Sequence, residues 1–373
     1  MKINYNVTAM LSNNALANND DLLSASLQRL SSGLKINRAK DNPAGLAMAK
    51  RMNAQIVGLD VANQNASDGV SIIEVADGAM AEITDMIQRI NELTVKASNG
   101  TSTDDDRALI QNEVSQLKEE IERVKNTTQF NGQNLLNGEF QRKGYIDTDG
   151  IKVNRVSMET PADTYVIDSL VLDDELDEDG NPTGYKTLTS YTLSTELDEK
   201  VTSVELKDDI LTLKGRDGFE LKIDLTDVAA GTINNLEVEV ADLGPMRLQI
   251  GANEGQVLEV DIPALSLRNM GIERIDVSTL EGAKDALSRM GGALSFVSGV
   301  RGKLGAYQNR LESTVRSLDV TSENMTAAYS RIMDVDMAEE MTKYTTYQVL
   351  TQAGTSMLAQ ANERPSQVLQ LLQ

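Results

Sequence analysis

The sequence contains no cysteine, no histidine and no tryptophan among its 373 residues. Without cysteine the chain has no disulfide, no thiolate metal site and no thiol nucleophile. Without histidine it lacks the usual general base at neutral pH and the commonest ligand of transition metals. Serine–histidine–aspartate triads and histidine-based zinc sites are therefore excluded. We predict no enzyme activity, no metal and no cofactor.

Aromatic side chains, long apolar runs and positive charge are scarce as well. Only 3% of the residues are aromatic, whereas small-molecule pockets are usually lined by aromatic and apolar groups. No stretch is long and apolar enough for a membrane span, and residues 1–7 form no apolar signal peptide. A net charge of −22 has the wrong sign for nucleic acid or an anionic membrane surface. We therefore expect no nucleic-acid partner and no membrane insertion.

The positions of the prolines predict two long helical regions. None of the six prolines lies within 44–160 or within 264–364, and interior proline breaks helices. Apolar residues recur every three or four positions along 66–93, 110–124 and 287–332, which is helical spacing. We expect an antiparallel pair of helices followed later by a helix of roughly 70 Å, all packed in one bundle.

The boundary between the first two helices has its own signals. Asn99 and Gly100 are typical of a helix end. Thr101, Ser102 and Thr103 then offer a hydroxyl cap, and Asp104–Asp106 place acids in the first turn, where the helix dipole favours them. Pro43 after Asn42 predicts another helix start near that position.

The middle of the chain has a different composition and a different period. Residues 140–250 contain 11 basic and 24 acidic residues, a net charge of −13. Residues 219–225 and 236–240 alternate apolar and charged side chains, as half-buried strands do. Leu211 and Leu213 precede the first of these strands across a glycine-containing turn, which predicts a hairpin. Residues 173–184 are acidic and contain glycine and proline, so we expect a loop there.

The acidic segment Glu175–Gly180 has some features of a calcium-binding loop. However, it begins with glutamate, and Lys186 stands at the twelfth position, where such loops need a bidentate glutamate. The sequence favours a solvated acidic loop. A binding module carried by the acidic insert stays open as a less favoured alternative.

The two ends of the chain, 1–42 and 335–373, form a third kind of segment. Both have helical spacing but are rich in asparagine, glutamine, serine, threonine and alanine. Each apolar stripe lacks a partner in its own neighbourhood, so its partner is the other end or another copy of the chain. We favour packing between copies. The stripe residues are Leu16, Leu23, Leu27, Leu30, Leu34, Val349, Ala353, Met357 and Ala361.

These patterns predict a mainly α fold with a β-rich insert, in which the N- and C-terminal halves form a long antiparallel helical bundle or coiled coil. We predict three domains. The terminal coiled coil comprises 1–42 and 335–373, the long-helix bundle comprises 43–145 and 246–334, and the variable, surface-exposed β-rich domain comprises 146–245.

Several long motifs resemble those of bacterial flagellins, and they occur in the family's order. RLSSGLKIN at 29–37 and AKDNPAGLA at 39–47 resemble its N-terminal signature, and QFNG follows at 129–132. LQIGANEGQ at 248–256 is similar to a further family motif. QAGTSMLAQAN at 352–362 resembles the family's C-terminus, with Leu369 and Leu372 close behind it. The resemblance covers roughly 1–140 and 246–373.

The resemblance implies a structural subunit of the bacterial flagellar filament, which serves motility and is extracellular. It implies terminal helices that line the filament core. It also adds Leu369 and Leu372 to the residues that we expect to pack there. The implied partners are further copies in a helical homopolymer, the flagellar type III export apparatus, a flagellin export chaperone, the filament cap and the hook-junction proteins. A hook–filament junction-type protein stays as the alternative, because such proteins share the terminal helices.

The resemblance also implies recognition by Toll-like receptor 5 through the helical domain. The residues that match the family's receptor-binding positions are Gln88, Arg89 and Leu93 in the first long helix and Glu113 in the second. Arg89 has a purely structural alternative, an ion pair with Asp85 one turn earlier. Leu93 lies near the packing stripe, which predicts partial burial.

Overall fold

The computed structural model is mainly helical with a strand-rich middle, as the sequence predicts. It describes residues 6–146, 148, 150–176, 182–229, 231–241 and 243–371. Within these ranges the helices are α1 (Val7–Ser32), α2 (Pro43–Ala97), α3 (Asp104–Thr127), α4 (Thr195–Lys200), α5 (Leu280–Met333) and α6 (Met337–Leu371). None of the described helices is long and apolar enough to cross a membrane.

The described strands fall into two small hairpins and two larger sheets. The hairpins are β1 (Gln129–Phe130) with β2 (Gln133–Asn134), and β11 (Met246–Gln249) with β12 (Val257–Val260). The other strands are β3 (Gly144–Ile146), β4 (Lys152–Val156), β5 (Thr164–Leu176), β6 (Pro182–Leu193), β7 (Val201–Lys207), β8 (Ile210–Gly215), β9 (Glu220–Asp224) and β10 (Gly231–Val240).

The chain divides into two compact units. The first comprises the described residues of Met1–Ala62 and Ser317–Gln373, and the second comprises those of Asn63–Arg316. The boundary falls within α2 and α5. The finer division into three domains stays a prediction.

The core of the second unit is the predicted helical bundle. Ile73, Met80, Ile83 and Ile87 of α2 are buried on one face of the helix, at the spacing that the sequence shows. Residues of α3 and α5 complete this core, among them Ile110, Val114, Ile121, Met290, Val297 and Leu304. The bundle of three long helices is therefore confirmed.

The start of α3 also agrees with the sequence. The Thr103 hydroxyl accepts a hydrogen bond from the backbone N–H of Asp106 at 3.2 Å, and the Asp106 carboxylate accepts one from the backbone N–H of Thr103 at 3.1 Å. These reciprocal bonds form a capping box, which satisfies donors that the first helical turn leaves free.

One part of this core was not predicted. Residues 261–279 have no regular secondary structure, yet Ile262, Leu265 and Ile272 are fully buried within them. Side chains of α3 bind the backbone of this segment, because a buried loop needs partners for its peptide groups. Gln111 Oε1 accepts from the N–H of Val277 at 2.8 Å, and Glu122 Oε1 accepts from the N–H of Leu267 at 3.2 Å.

The insert consists of two four-stranded antiparallel sheets that share one apolar core. Their strand orders are β3-β10-β5-β6 and β4-β9-β8-β7. The predicted hairpin is β8 with β9, in which Leu213 pairs with Leu221. Leu221 and Ile223 of that hairpin pack into the shared core together with Leu236 and Val238 of β10.

The predicted loop at 173–184 is wrong at both of its ends. Strand β5 continues to Leu176 and β6 begins at Pro182, and Asp173 and Asp174 pair with Thr187 and Lys186. The acidic composition reflects solvent-facing positions of a hairpin rather than an irregular segment. The centre of the predicted loop, residues 177–181, lies outside the described residues, as do the side chains of the calcium-loop candidate 175–180.

Ion pairs join the insert to the helical part of the same unit. In each of four pairs the cation lies outside the insert and the acid within it: Arg289–Asp208, Arg268–Asp224, Arg274–Asp209 and Lys303–Glu159. The Arg155 guanidinium and the Lys222 ammonium also lie over the ring of Phe296 of α5, at 5.0 and 5.5 Å from its centre. The negative charge of the insert is thus partly matched by cations of the helical region.

Candidate assembly and recognition surfaces

The terminal helices α1 and α6 pack against each other in antiparallel orientation. The Asn6 amide donates a hydrogen bond to the carbonyl of Ala361 at 2.9 Å, and at the other end Arg29 bonds Glu340. Asn6 also caps α1, since its side-chain oxygen accepts from the N–H of Ala9 at 3.1 Å. The other end of the chain is therefore one partner of each terminal stripe.

The connections next to this helix pair are held by backbone hydrogen bonds. Gly33 ends α1 in the left-handed conformation, with φ 71°, which glycine adopts without strain. The N–H of Lys35 donates to the carbonyl of Met333 at 2.6 Å, and the N–H of Val335 donates to that of Gly33 at 3.0 Å. Ile36, Ala49 and Met333 form a small buried cluster beside these bonds. The two connecting segments thus fix the ends of α1 and α6 at a common point.

The seam between α1 and α6 consists of the least exposed positions of each helix. They are spaced alternately by three and four residues, as in a coiled coil. On α1 these positions are Ala9, Ser12, Leu16, Asn19, Leu23, Ser26 and Leu30, and on α6 they are Glu340, Tyr344, Tyr347, Thr351, Gly354, Leu358 and Ala361. The seam therefore contains polar and small side chains in nearly every turn.

One ion pair lies beside this seam, and its carboxylate is buried. Arg29 contacts the Glu340 carboxylate through Nε at 2.8 Å and through Nη2 at 2.7 Å, and the Glu340 side chain is only 5% exposed. Burial alone would raise the pKa of Glu340, but hydrogen bonds from Arg29 and Ser26 and the positive charge of Arg29 outweigh it. The pKa of Glu340 therefore lies below the ordinary range, and the carboxylate is charged at neutral pH.

Large apolar side chains lie on the outside of the same helix pair. Val349 and Met357, for example, are 63% and 58% exposed. The other large apolar side chains that α1 and α6 expose are Val7, Met10, Leu11, Leu22, Leu27, Met337, Met341 and Leu350. Full burial of one such side chain is worth about 1.5–3 kcal/mol. We call these ten residues the outer apolar surface.

The predicted filament-core residues divide between the seam and the outside. Leu16, Leu23, Leu30 and Ala361 lie half-buried in the seam, and Leu34 lies half-buried at the end of α1. Leu27, Val349, Ala353 and Met357 are exposed. The Leu369 side chain and the whole of Leu372 lie outside the described residues.

The predicted receptor-binding residues lie on α2 and α3. Arg89 donates to Glu113 of α3 from Nε at 3.1 Å and from Nη2 at 2.8 Å, and to Glu92 from Nη1 at 3.2 Å. These bonds replace the alternative pair with Asp85. Gln88 is exposed next to Arg89, and Glu113 is half-buried, so the three side chains form a polar surface across two helices.

Leu93 is separated from that surface by its burial. Its exposed fraction is 5%, and it belongs to the core of the helical bundle. An unpredicted apolar side chain is available instead, because Leu109 is 69% exposed one turn before Glu113 on α3. Its only sequence signal is its place next to Ile110, which fills the core position of that turn.

The family models and the curated relatives agree on one family. Residues 3–141 match the bacterial flagellin N-terminal helical region, and residues 287–372 match the C-terminal helical region. Flagellin C of Vibrio anguillarum is 34% identical over 100% of this chain and 99% of its own length. Polar flagellin A of Vibrio parahaemolyticus is 36% identical with the same coverage. The crystal structure of Bacillus cereus flagellin aligns with a TM-score of 0.31 at 15% identity, over 71% of this chain and 94% of that one.

Taken with the paired terminal helices and the strand-rich insert, these matches define a structural protein of the flagellar filament class and not an enzyme. The chain belongs to the bacterial flagellin family.

Proposed function

We propose that this chain polymerises into a flagellar filament through its terminal helix pair and thereby serves motility. The observation that supports this most directly is the outer apolar surface. Large apolar patches that stay exposed on one chain are typical of interaction sites. The two helices also carry little charge, with three charged residues in α1 and five in α6, so copies can approach closely there.

The arrangement of the helix pair supports a second copy as the partner. A coiled coil normally buries its large apolar side chains in its own seam. Here the seam contains serine, asparagine and threonine, while Met357 and Val349 face outward. Further copies with the same surface would bury these side chains, and we place Leu369 and Leu372 in the same contact because the family resemblance includes them.

The experiment is seeded elongation of the purified chain, followed by electron microscopy. We expect Met357→Asp to abolish elongation, because a buried carboxylate without a partner costs several kcal/mol. Leu243→Asp in the insert is the matched control, since Leu243 is 64% exposed and lies away from the terminal helices in sequence. Normal elongation of Met357→Asp would contradict the proposal. Failure of the unchanged chain to elongate seeds would instead favour a hook–filament junction-type protein.

We further propose that the chain reaches the cell exterior through the flagellar type III export apparatus with a flagellin export chaperone. In the flagellum it would contact the filament cap and the hook-junction proteins. Family membership supports this route. The test is secretion of the chain by cells with and without a functional export apparatus. Equal amounts in the two culture media would contradict it.

A second proposed function is recognition by Toll-like receptor 5 through Gln88, Arg89 and Glu113. The supporting observation is the exposed Arg89–Glu113 pair, which offers a receptor one cation and one anion in a fixed arrangement. Leu93 would act indirectly, by supporting α2 from the core. Leu109 would add an apolar contact.

The test measures binding of the receptor ectodomain to variants of the full chain. Arg89→Ala should weaken binding, because it removes the cation and leaves Glu113 unpaired. Arg123→Ala is the control, since Arg123 forms a similar exposed pair with Glu120 on α3. If both variants bind as the unchanged chain does, this surface is not the receptor site.

A further inference from the structure

The terminal seam leaves the register of its two helices weakly specified by apolar contacts. The leucines of the α1 seam, Leu16, Leu23 and Leu30, repeat at intervals of seven residues. The small polar residues between them, Asn19 and Ser26, repeat at the same interval. A slip of α1 by one heptad along α6 would therefore replace leucine by leucine and a small polar residue by another.

The seam residues of α6 also do little to favour one register over a register shifted by seven residues. Gly354 and Ala361 offer no side chain large enough to fill one particular hole. The hydroxyl of Thr351 is buried without a hydrogen-bond partner in the structure, so it does not favour one register over another. Register in coiled coils is commonly specified by one buried polar contact when apolar residues leave it open.

The Arg29–Glu340 pair joins opposite charges across the two helices, beside the seam. Glu340 also lies against Ser26, whose hydroxyl is 3.5 Å from the Glu340 backbone carbonyl. A slip by seven residues would move Arg29 opposite Tyr347 or Met333. Glu340 would then be buried without its cation, which is strongly unfavourable.

We propose that Arg29 and Glu340 are positioning residues that hold the register of the terminal helix pair for filament assembly, together with the backbone bonds of the connecting segments and the Asn6–Ala361 bond. Register decides how the side chains of α1 line up with those of α6 on the outer apolar surface. A slipped pair would present Leu27 and Met341 at the wrong relative height to a neighbouring copy. The inference rests on the proposed function for its assembly consequence, but the register itself is measured separately.

The register is measured by engineered disulfides, for which the chain offers a clean background because it contains no cysteine. A Cβ atom built at Gly354 lies 3.8 Å from the Cβ of Leu16. This separation is close to the usual value of about 3.8 Å in disulfides. Leu16→Cys with Gly354→Cys therefore reports the native register.

Two further pairs report slipped registers. Leu16→Cys with Tyr347→Cys, or with Ala361→Cys, places the second thiol seven residues away, roughly 10 Å along the helix. All three pairs share the same change at Leu16. A disulfide within one chain speeds its migration on a non-reducing gel, whereas one between copies doubles the mass.

Oxidation is carried out both on the unassembled chain and on filaments elongated from unmodified seeds, in three backgrounds. With Arg29 and Glu340 intact, we expect only the native cross-link. In Glu340→Gln we expect the ratio of slipped to native cross-link to rise by about tenfold or more, and elongation to slow. The exchanged pair Arg29→Glu with Glu340→Arg should restore both the native cross-link and elongation, which a general packing role would not predict.

Glu339→Gln is the matched control, because Glu339 is the neighbouring, exposed acid and pairs with Lys343 at 2.7 Å. It should leave both measurements unchanged. If Glu340→Gln retains only the native cross-link, the inference is overturned even though filaments form. If the intact chain forms no filaments, the proposed function fails instead.

Discussion

The helix pairs α1–α6 and α2–α3 are both antiparallel, but the central pair buries large apolar side chains completely and the terminal pair does not. The central pair places Ile83, Ile87 and Ile90 in an apolar core that α5 completes. The terminal pair buries Ser26 and Glu340 and exposes most of its large apolar residues. The central pair thus has its apolar side chains buried within its own unit, whereas the terminal pair leaves an apolar surface exposed.

We expect the greatest loss of stability from a substitution in the core of the central helix pair. Ile87→Ala should lower the free energy of unfolding of the unassembled chain by about 2–5 kcal/mol, because it leaves a cavity in a fully buried site. Met357→Ala should change it by less than about 0.5 kcal/mol, because that side chain is exposed. Guanidinium unfolding followed by circular dichroism measures both. Similar losses in the two variants would show that the terminal pair is as well packed as the centre.

The next effect concerns pH and acts on the terminal pair. Because the pKa of Glu340 is lowered in the folded state, its pair with Arg29 contributes fully above the unfolded value of about 4.3. That contribution is lost as the pH falls through the lower, folded-state pKa. Lys343 and Glu339 on α6 also face this region and pair with each other.

The measurement is filament disassembly across acid pH for the unchanged chain and for Glu340→Gln. Other carboxylates titrate in both proteins, so the difference between the two curves isolates Glu340. We expect the variant to be less stable near neutrality and the two curves to converge in acid. A constant offset at all pH values would contradict the assigned role of the charge.

A smaller effect should strengthen the terminal pair. Thr351→Val removes a buried hydroxyl without a hydrogen-bond partner and keeps the side-chain shape. We expect filaments to gain about 1–2 kcal/mol per subunit, since an unpaired buried hydroxyl is unfavourable. The temperature of filament disassembly reports the gain. Thr355→Val, at an exposed position one turn later, is the control. An equal gain in that variant would show that the buried hydroxyl of Thr351 is not the cause.

The smallest change in stability that we predict concerns the start of α3 in the central helix pair. Thr103→Ala removes the hydroxyl of the capping box and should cost about 1 kcal/mol in the unfolding of the second unit. Thr101→Ala, at an exposed position in the same turn, should cost less. Thermal unfolding of the full chain compares them. An equal loss of stability in the two variants would mean that the Thr103 hydroxyl has no specific role as a helix cap.

Sequence reasoning was most successful where one local signal was strong. The α2 stripe from Ile73 to Leu93, the cap at Thr103 and the hairpin of β8 and β9 all lie where the spacing places them. It was less successful where burial depends on distant partners. The buried segment 261–279 has no helical or strand period, and its burial requires Gln111 and Glu122 of α3 to bind its backbone.

The terminal helices show the same limit within a correctly predicted element. Sequence spacing grouped Val349, Ala353 and Met357 into one stripe, and the structure places all three outside the seam. When a helix is only thinly apolar, several faces have similar hydrophobicity, so spacing alone does not select the buried one. Likewise, Leu93 and Arg89 are four residues apart, and only the packing of α3 separates a core side chain from a surface one.

Local spacing, composition and long motifs are enough to predict the long helices, the helix starts near Pro43 and Asp104, the strand-rich insert and the family. Three features could be read only from the folded chain: which face of α1 meets α6, the contact of Arg29 with Glu340 across 311 positions of sequence, and the exposure of the large apolar side chains. When a helix has polar and apolar residues on every side, its partner determines which face is buried.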